Sequence, residues 1–211
     1  MKKILIIASL FVVFISIQSC KKDADATPSN GSDSSCTSSP YRIGTVATFS
    51  NSSSGYTINI TGTYSFNGKN YLKGTTTMNS NSSTGYIYVD PTNGDDWQMI
   101  PATGDLPTNE MIYCKPSQPV GTTWSYTYAS ISAPTIVSYK YTYSISKKGV
   151  SFTLGNTTNT NCTQVHCLVE TYYSGAVVTS ATTDYTFACG WGLVQTLQNG
   201  NVYSTLTNLT Y

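Results

Sequence analysis

From residue 56 to residue 66 apolar and polar side chains alternate, with Gly62 alone standing in for an apolar residue. Tyr56, Ile58, Ile60, Tyr64 and Phe66 share one side, and Thr57, Asn59, Thr61, Thr63 and Ser65 share the other. A repeat of two residues matches a half-buried β-strand, and no helix of 3.6 residues per turn can carry it. The pattern returns at residues 123–128, where Trp124, Tyr126 and Tyr128 alternate with hydroxyls. It returns again at 137–145, where Val137, Tyr139, Tyr141, Tyr143 and Ile145 alternate with Ser138, Lys140, Thr142 and Ser144. Asn67-Gly68, Pro91 to Gly94, Lys147-Lys148-Gly149, Ser174-Gly175 and Asn199-Gly200 have the chemistry of turns, because Gly and Asn tolerate positive φ. Further strands are expected over 71–78, 86–90, 97–100, 110–114, 150–154, 162–173, a stretch ending at Cys189, 193–197 and 202–210. Past the N-terminal segment no stretch has apolar residues at helical spacing. The expectation is all-β: one antiparallel β domain over residues 41–211, as a curved sheet, half-barrel or sandwich.

The first 19 residues do not belong to that pattern. Lys2 and Lys3 precede an apolar run over residues 4–17, the make-up of an export signal, and the run is short of the roughly 20 apolar residues a membrane span needs. It ends in Ile17-Gln18-Ser19-Cys20, which resembles a bacterial lipoprotein signal with Cys20 as the lipidated residue. Each buried CH₂ of the attached chains is worth about 0.8 kcal/mol, so several chains together make a durable membrane anchor. Residues 20–40, rich in Ser, Asp, Thr and Gly, read as a lipidated cysteine followed by a flexible tether.

Charge sets limits on partners. Cleavage before Cys20 removes two of the 11 basic residues, leaving nine against ten acidic ones. That balance offers no basic footprint for nucleic acid. Charged residues make up 10% of the chain, and their place is taken by Ser, Thr, Asn and 17 tyrosines. Strands with hydroxylated solvent faces and aromatic buried faces have this composition.

Six cysteines in an exported chain point to disulfides. With Cys20 lipidated, Cys36, Cys114, Cys162, Cys167 and Cys189 remain, an odd number, and Cys36 in the tether is the candidate for the unpaired one. Cys162 and Cys167 lie five apart, too far for a mutual disulfide if both sit in one extended strand. The expected pairs are Cys162 with Cys189, brought near by a hairpin at Ser174-Gly175, and Cys114 with Cys167.

The segments Pro119-Val120-Gly121-Thr122-Thr123-Trp124 and Tyr185-Thr186-Phe187-Ala188-Cys189-Gly190-Trp191-Gly192-Leu193-Val194 resemble uncharacterised Bacteroidota outer-membrane lipoproteins. In that group a Pro-x-x-x-x-Trp entry into a strand recurs with a late Gly-x-Gly-Leu-Val segment and a final hairpin. The resemblance implies an antiparallel architecture, in some cases a strongly curved sheet like that of lipoprotein carriers, and is silent on activity. Gly190 and Gly192 allow the backbone to bend around Trp191, which would serve as a core plug at a corner or as a ligand-stacking ring.

Candidate sites are few. His166 is the single histidine, and Glu170, four residues along the same strand, lies about 13 Å away. A catalytic role would need partners from other strands. Asp90, Asp95 and Asp96 crowd one turn that fits either a plain hairpin loop or part of a calcium site, although it lacks the ligand spacing of an EF-hand. Tyr126, Tyr128, Tyr139, Tyr141 and Tyr143 form either a ladder for sugar rings or a partner, or the buried face of the sheet.

Together these features predict a cell-envelope lipoprotein of the outer membrane, non-enzymatic, without metal or cofactor. Its domain would bind or scaffold a glycan or another envelope protein. The alternative is a carrier that shelters a lipid in an apolar pocket.

Overall fold

A computed structural model describes Cys36 and residues 39–51, 55–102, 108–129 and 137–211. The export segment, Cys20 and most of the tether lie outside the described residues. The described chain is built of twelve strands: β1 Val46–Asn51, β2 Tyr56–Phe66, β3 Lys69–Met78, β4 Asn81–Val89, β5 Asp96–Ile100, β6 Asn109–Cys114, β7 Thr123–Ala129, β8 Val137–Leu154, β9 Thr157–Tyr173, β10 Ala176–Ala188, β11 Gly192–Gln198 and β12 Asn201–Thr210.

Their order in space is β6-β5-β4-β3-β2-β1-β12-β11-β10-β9-β8-β7, all in one sheet. Every neighbouring pair is antiparallel. The first strand meets the last, so the meander curls into a nearly closed, barrel-like sheet, and its two edges, β6 and β7, are consecutive in sequence. Of the architectures open from sequence, the strongly curved sheet is the one formed.

The hairpin turns sit at the expected residues. Asn67 and Gly68, Ser174 and Gly175, and Asn199 and Gly200 all have positive φ. One expected turn is not a turn. Lys147-Lys148-Gly149 lies inside β8, which runs on to Leu154, and Gly149 takes φ +68° where the β8–β9 register shifts. A Gly-containing step that looks like a chain reversal is here a bulge, which bends a long hairpin instead of ending it. A second bulge, between Ile60 and Gly62, moves Tyr64 off the side that Ile60 occupies. Ile60 is buried and Tyr64 is 45% exposed, although both belong to one alternating run.

Two apolar clusters hold the sheet. Met111, Tyr113, Cys114, Tyr143, Ile145, Val165, Cys167, Tyr185 and Phe187 form the first. Ala47, Phe49, Cys162, Ala188, Val194 and Leu206 form the second, with Val150, Phe152 and Leu154 packed against it. The bent far half of the β8–β9 hairpin therefore reaches the β1–β12 junction. Strands β9 and β10 feed both clusters: Val165, Cys167 and Tyr185 go to the first, Cys162 and Ala188 to the second. Side chains of opposite parity along one strand point to opposite faces, so this part of the sheet is covered on both.

Candidate functional site

The structure places the tyrosine row inside. Tyr143 is fully buried and stacks on Trp124 with centroids 5.6 Å apart and planes 10° from parallel. Tyr126, Tyr128 and Tyr141 pack on the first cluster, and Tyr139 is half-buried. Burial pushes the hydroxyls of Tyr126, Tyr128, Tyr141 and Tyr143 above their ordinary value. No flat ladder is open to a sugar ring here.

The row has a different task. Strand β6 is an edge, and the backbone groups of Glu110 and Ile112, two residues apart, point the same way. Ile112 N–H donates to Tyr126 Oη at 3.0 Å, Trp124 Nε1–H donates to the Ile112 carbonyl at 2.8 Å, and Tyr128 Oη donates to the Glu110 carbonyl at 3.2 Å. Aromatic side chains of one edge strand thus satisfy the backbone of the other, and the seam of the barrel is closed without a ladder. Sequence reasoning could place the rings on one side of β7 but not the strand they meet.

Glu110 also carries a polar cluster that no sequence motif announced. Its carboxylate accepts from Asn67 Nδ2 at 2.7 Å, from Lys69 Nζ at 3.1 Å and from Tyr71 Oη, while Lys69 lies 3.9 Å over the Trp97 ring. Desolvation opposes ionisation of Glu110, but the three donors outweigh it and hold the carboxyl below its ordinary value. Burial, and then the neighbouring carboxylate, push Tyr71 up. Three strands and the β2–β3 turn supply these groups, so spacing along the chain carries no trace of them.

The cysteines pair otherwise than expected. Cys36 is bonded to Cys189, with Cα atoms 5.3 Å apart, and Cys114, Cys162 and Cys167 are buried free thiols. The pairs Cys162–Cys189 and Cys114–Cys167 are not formed, and Cys36 is not the unpaired residue. A plain turn at Ser174-Gly175 would set Phe187 opposite Cys162, and the bulge at Val178 advances the pairing by one, to Ala188, which still stops one residue short of Cys189. Cys189 lies just past the end of β10, where its sulfur meets that of Cys36. Cys114 and Cys167 do share the first cluster, but as thiols. Burial pushes Cys162 up to about 11 and Cys167 to about 12, and Cys114 well above its ordinary value, so none is a thiolate near neutrality.

Cys36, Asp96, Cys114, Thr163, Phe187 and Cys189 line a cavity of about 40 Å³, room for little more than a water molecule. Asp96 Oδ1 has no hydrogen-bond partner among the described residues, and burial raises its carboxyl to about 7. In the same turn Thr92 N–H donates to Asp90 Oδ1 at 2.8 Å and Asp95 N–H to Asn93 Oδ1 at 2.9 Å. These side chains cap their own hairpin. Among the described residues no group of three or more His, Cys, Asp and Glu could hold a metal ion.

His166 lies on the partly exposed side of β9 with Gln164, Leu168 and Glu170, and the structure supplies the partner that sequence could not place. Its Nδ1 is 2.8 Å from Asp184 Oδ1, and Ser144 is its register neighbour on the other flank. A serine, a histidine and an aspartate therefore stand in one row across β8, β9 and β10. The row lies within the β8–β9 and β9–β10 ladders, one residue short of the register shift between Ile145 and Lys147. Trp191 packs on the second cluster with its ring edge-to-face to Phe152, 6.5 Å between centroids, the corner-plug arrangement.

No known family profile and no curated protein matches the chain. Two solved structures resemble it. A candidate lipoprotein from Parabacteroides distasonis is 15% identical, with a TM-score of 0.50 over 80% of this chain and 96% of that one. A candidate exported protein with a YmcC-like fold from Bacteroides fragilis is 9% identical, with a TM-score of 0.43 over 82% of this chain and 98% of that one. At 15% identity the likeness to the Parabacteroides distasonis structure is one of fold, and it agrees with the Bacteroidota resemblance of the C-terminal half.

Proposed function

We propose that the protein is a non-enzymatic binding or scaffolding module of the cell envelope, held at the outer membrane by acyl chains on Cys20, and that its partner is another envelope protein. The observation that carries this reading is the filled interior. Tyr143, Val165, Cys167 and their neighbours occupy the space that a carrier would keep open, and the cavity beside them, about 40 Å³, is far below the 300–1,000 Å³ of ordinary ligand sites. The larger hollow, about 300 Å³, is an open one at the surface, lined by Ser39, Pro40, Tyr41, Arg42, Gly190 and Tyr211. Recognition then belongs to the outer surface. A protein partner is favoured over a glycan because the aromatic rings that would stack on sugars are engaged with β6.

Anchoring and carriage are separated by one preparation. Cys20→Ala should abolish palmitate labelling and membrane fractionation, and retention of both overturns the anchor. Extraction of the purified full chain should yield no stoichiometric lipid beyond the covalent chains, and a bound lipid would establish the carrier alternative.

A further inference from the structure

A disulfide, a thiol and a carboxyl group meet at the small cavity beside the first cluster. Its walls include Cys36 and Cys189, joined to each other, together with Cys114 and Asp96. Of the free thiols, Cys114 alone reaches it; Cys162 and Cys167 are not among its walls. Asp96 and Cys114 oppose one another in the β5–β6 register, where paired side chains share a face with Cβ atoms about 5 Å apart. Burial and then the Asp96 charge raise the Cys114 thiol, so the carboxylate acts directly on it. Asp96 is 7% exposed, and its Oδ1 has no hydrogen-bond partner among the described residues. A buried carboxyl oxygen left without a donor is costly, and this one is available to a proton.

The two sulfurs of the bridge are held differently. Cys189 belongs to the barrel: its N–H donates to the Asn161 carbonyl at 3.1 Å, and its carbonyl accepts from Asn159 Nδ2 at 2.7 Å. Cys36 belongs to the segment that enters from the tether, and it lies against the turn before β5. A Cβ at Gly94 would collide with the Cys36 carbonyl, so the bare glycine is what admits the segment there.

We infer that Cys114, Asp96 and the Cys36–Cys189 bridge form a thiol–disulfide exchange site, which moves the bridge from the tether to β6. Asp96 takes the proton of Cys114 as its sulfur attacks Cys189 Sγ. The Cys114–Cys189 bond forms, the Cys36–Cys189 bond breaks, and the departing Cys36 sulfur takes the proton from Asp96. One disulfide and one thiol stand on each side of the step, so no oxidant or reductant is consumed. A base is needed because Cys114 is protonated near neutrality, where Asp96, raised to about 7, is partly ionised. Before exchange the bridge pins the N-terminal segment to the end of the barrel. Afterwards that segment is released at Cys36, and β6, an edge strand, is tied covalently to the residue that follows β10.

The exchanged form can be captured by alkylation. The full folded chain, without reductant, is held at neutral pH with N-ethylmaleimide, and its peptides are mapped over time. The expected product carries the maleimide on Cys36 and a Cys114–Cys189 disulfide, with Cys162 and Cys167 unmodified. Cys114→Ser should abolish labelling of Cys36, and Cys114→Ala serves the same purpose if the serine variant does not fold. Asp96→Asn should slow the labelling about a hundredfold, the low end of what a positioned general base contributes. No labelling of Cys36, or labelling that survives both Cys114 variants, overturns the site. So does labelling of Cys162 and Cys167 as fast as Cys36, the mark of general unfolding. A Cys36–Cys114 product would overturn release of the tether, and an unchanged rate in Asp96→Asn would overturn the role of the carboxylate. The exchange does not depend on acyl chains at Cys20, so failed palmitate labelling leaves it standing.

Discussion

Trp124 donates its indole N–H to the main-chain carbonyl of Ile112 across 2.8 Å, and so joins two edge strands that share no ladder. Removing that donor strands a carbonyl next to the first cluster. Trp124→Phe is expected to lower stability by about 2 kcal/mol, from an unmet acceptor of about 1–3 kcal/mol together with weakened stacking on Tyr143. Tyr126→Phe, which leaves the Ile112 N–H unmet, should cost about 1 kcal/mol. Both bonds end on one residue, so the double variant should fall short of the sum by a measurable coupling. Midpoints of urea unfolding at constant slope decide it, and strict additivity would mean that the seam is held by something else.

The thiol inventory makes a second prediction. In the folded chain Cys114, Cys162 and Cys167 should resist iodoacetamide at neutral pH, because they are buried and protonated. Denaturant without reductant should expose three reactive thiols, and peptide mapping should recover Cys36 joined to Cys189. Cys189→Ser should cost about 2–4 kcal/mol, the usual range for a bridge that closes a long loop. A mapped Cys162–Cys189 peptide would overturn the arrangement.

How much of this could be read beforehand depends on whether the information was local. The bounds of strand β2 were legible to the residue, because alternation and the Asn67-Gly68 turn are both written within a few positions, although its bulge at Thr61 was not. The partners of Cys189 and His166 were not. A plain two-residue turn at Ser174-Gly175 would set Thr183 opposite His166. The bulge at Val178 moves the register by one, bringing Asp184 to His166 and Ala188 to Cys162. Nothing in Val177-Val178-Thr179 announces a bulge, and one slip exchanges every partner downstream. The tyrosine row was legible further: its common side and its burial against the sheet were both open to reading, but that β6 is what faces it depends on how the whole meander closes.

Asp96 gives a pH dependence with a definite sign. Burial raises its carboxyl from an ordinary 3.8 to about 7 in the fold. A raised value means that the folded state holds the proton longer than the unfolded state does, so the contribution is fully present below 3.8 and is lost as pH rises toward 7. At about 1.4 kcal/mol per unit, the loss across that window is on the order of 4 kcal/mol. Glu110 works against this trend at the acid end, since its lowered value makes stability fall as it is protonated. Asp96→Asn should flatten the decline between about pH 4 and 7 and leave the acid limb in place. Thermal midpoints across the acid-to-neutral range read both limbs, and an unchanged decline in the variant would place its origin elsewhere.

Gly192 opens the last prediction, because two separate demands fall on it. Its φ is +74°, and a Cβ built there would collide with Tyr41 Oη and with its ring carbons Cζ and Cε2. Tyr41 is itself buried, and its hydroxyl accepts the Leu193 N–H at 3.2 Å, so the N-terminal segment presses directly on this turn. Gly192→Ala should therefore cost more than backbone strain alone, about 3 kcal/mol against the roughly 1–2 kcal/mol of a left-handed alanine. Tyr41→Phe removes one hydrogen bond and should cost about 1 kcal/mol. The two positions should be coupled. The ring carbons Cζ and Cε2 crowd the same position, so the clash goes only with the whole ring while the φ strain remains, and Gly192→Ala should cost less in a Tyr41→Ala background than in the wild type. Equal costs in the two backgrounds, measured by urea unfolding, would show that the glycine is required for its backbone angle alone and that Tyr41 does not bear on it.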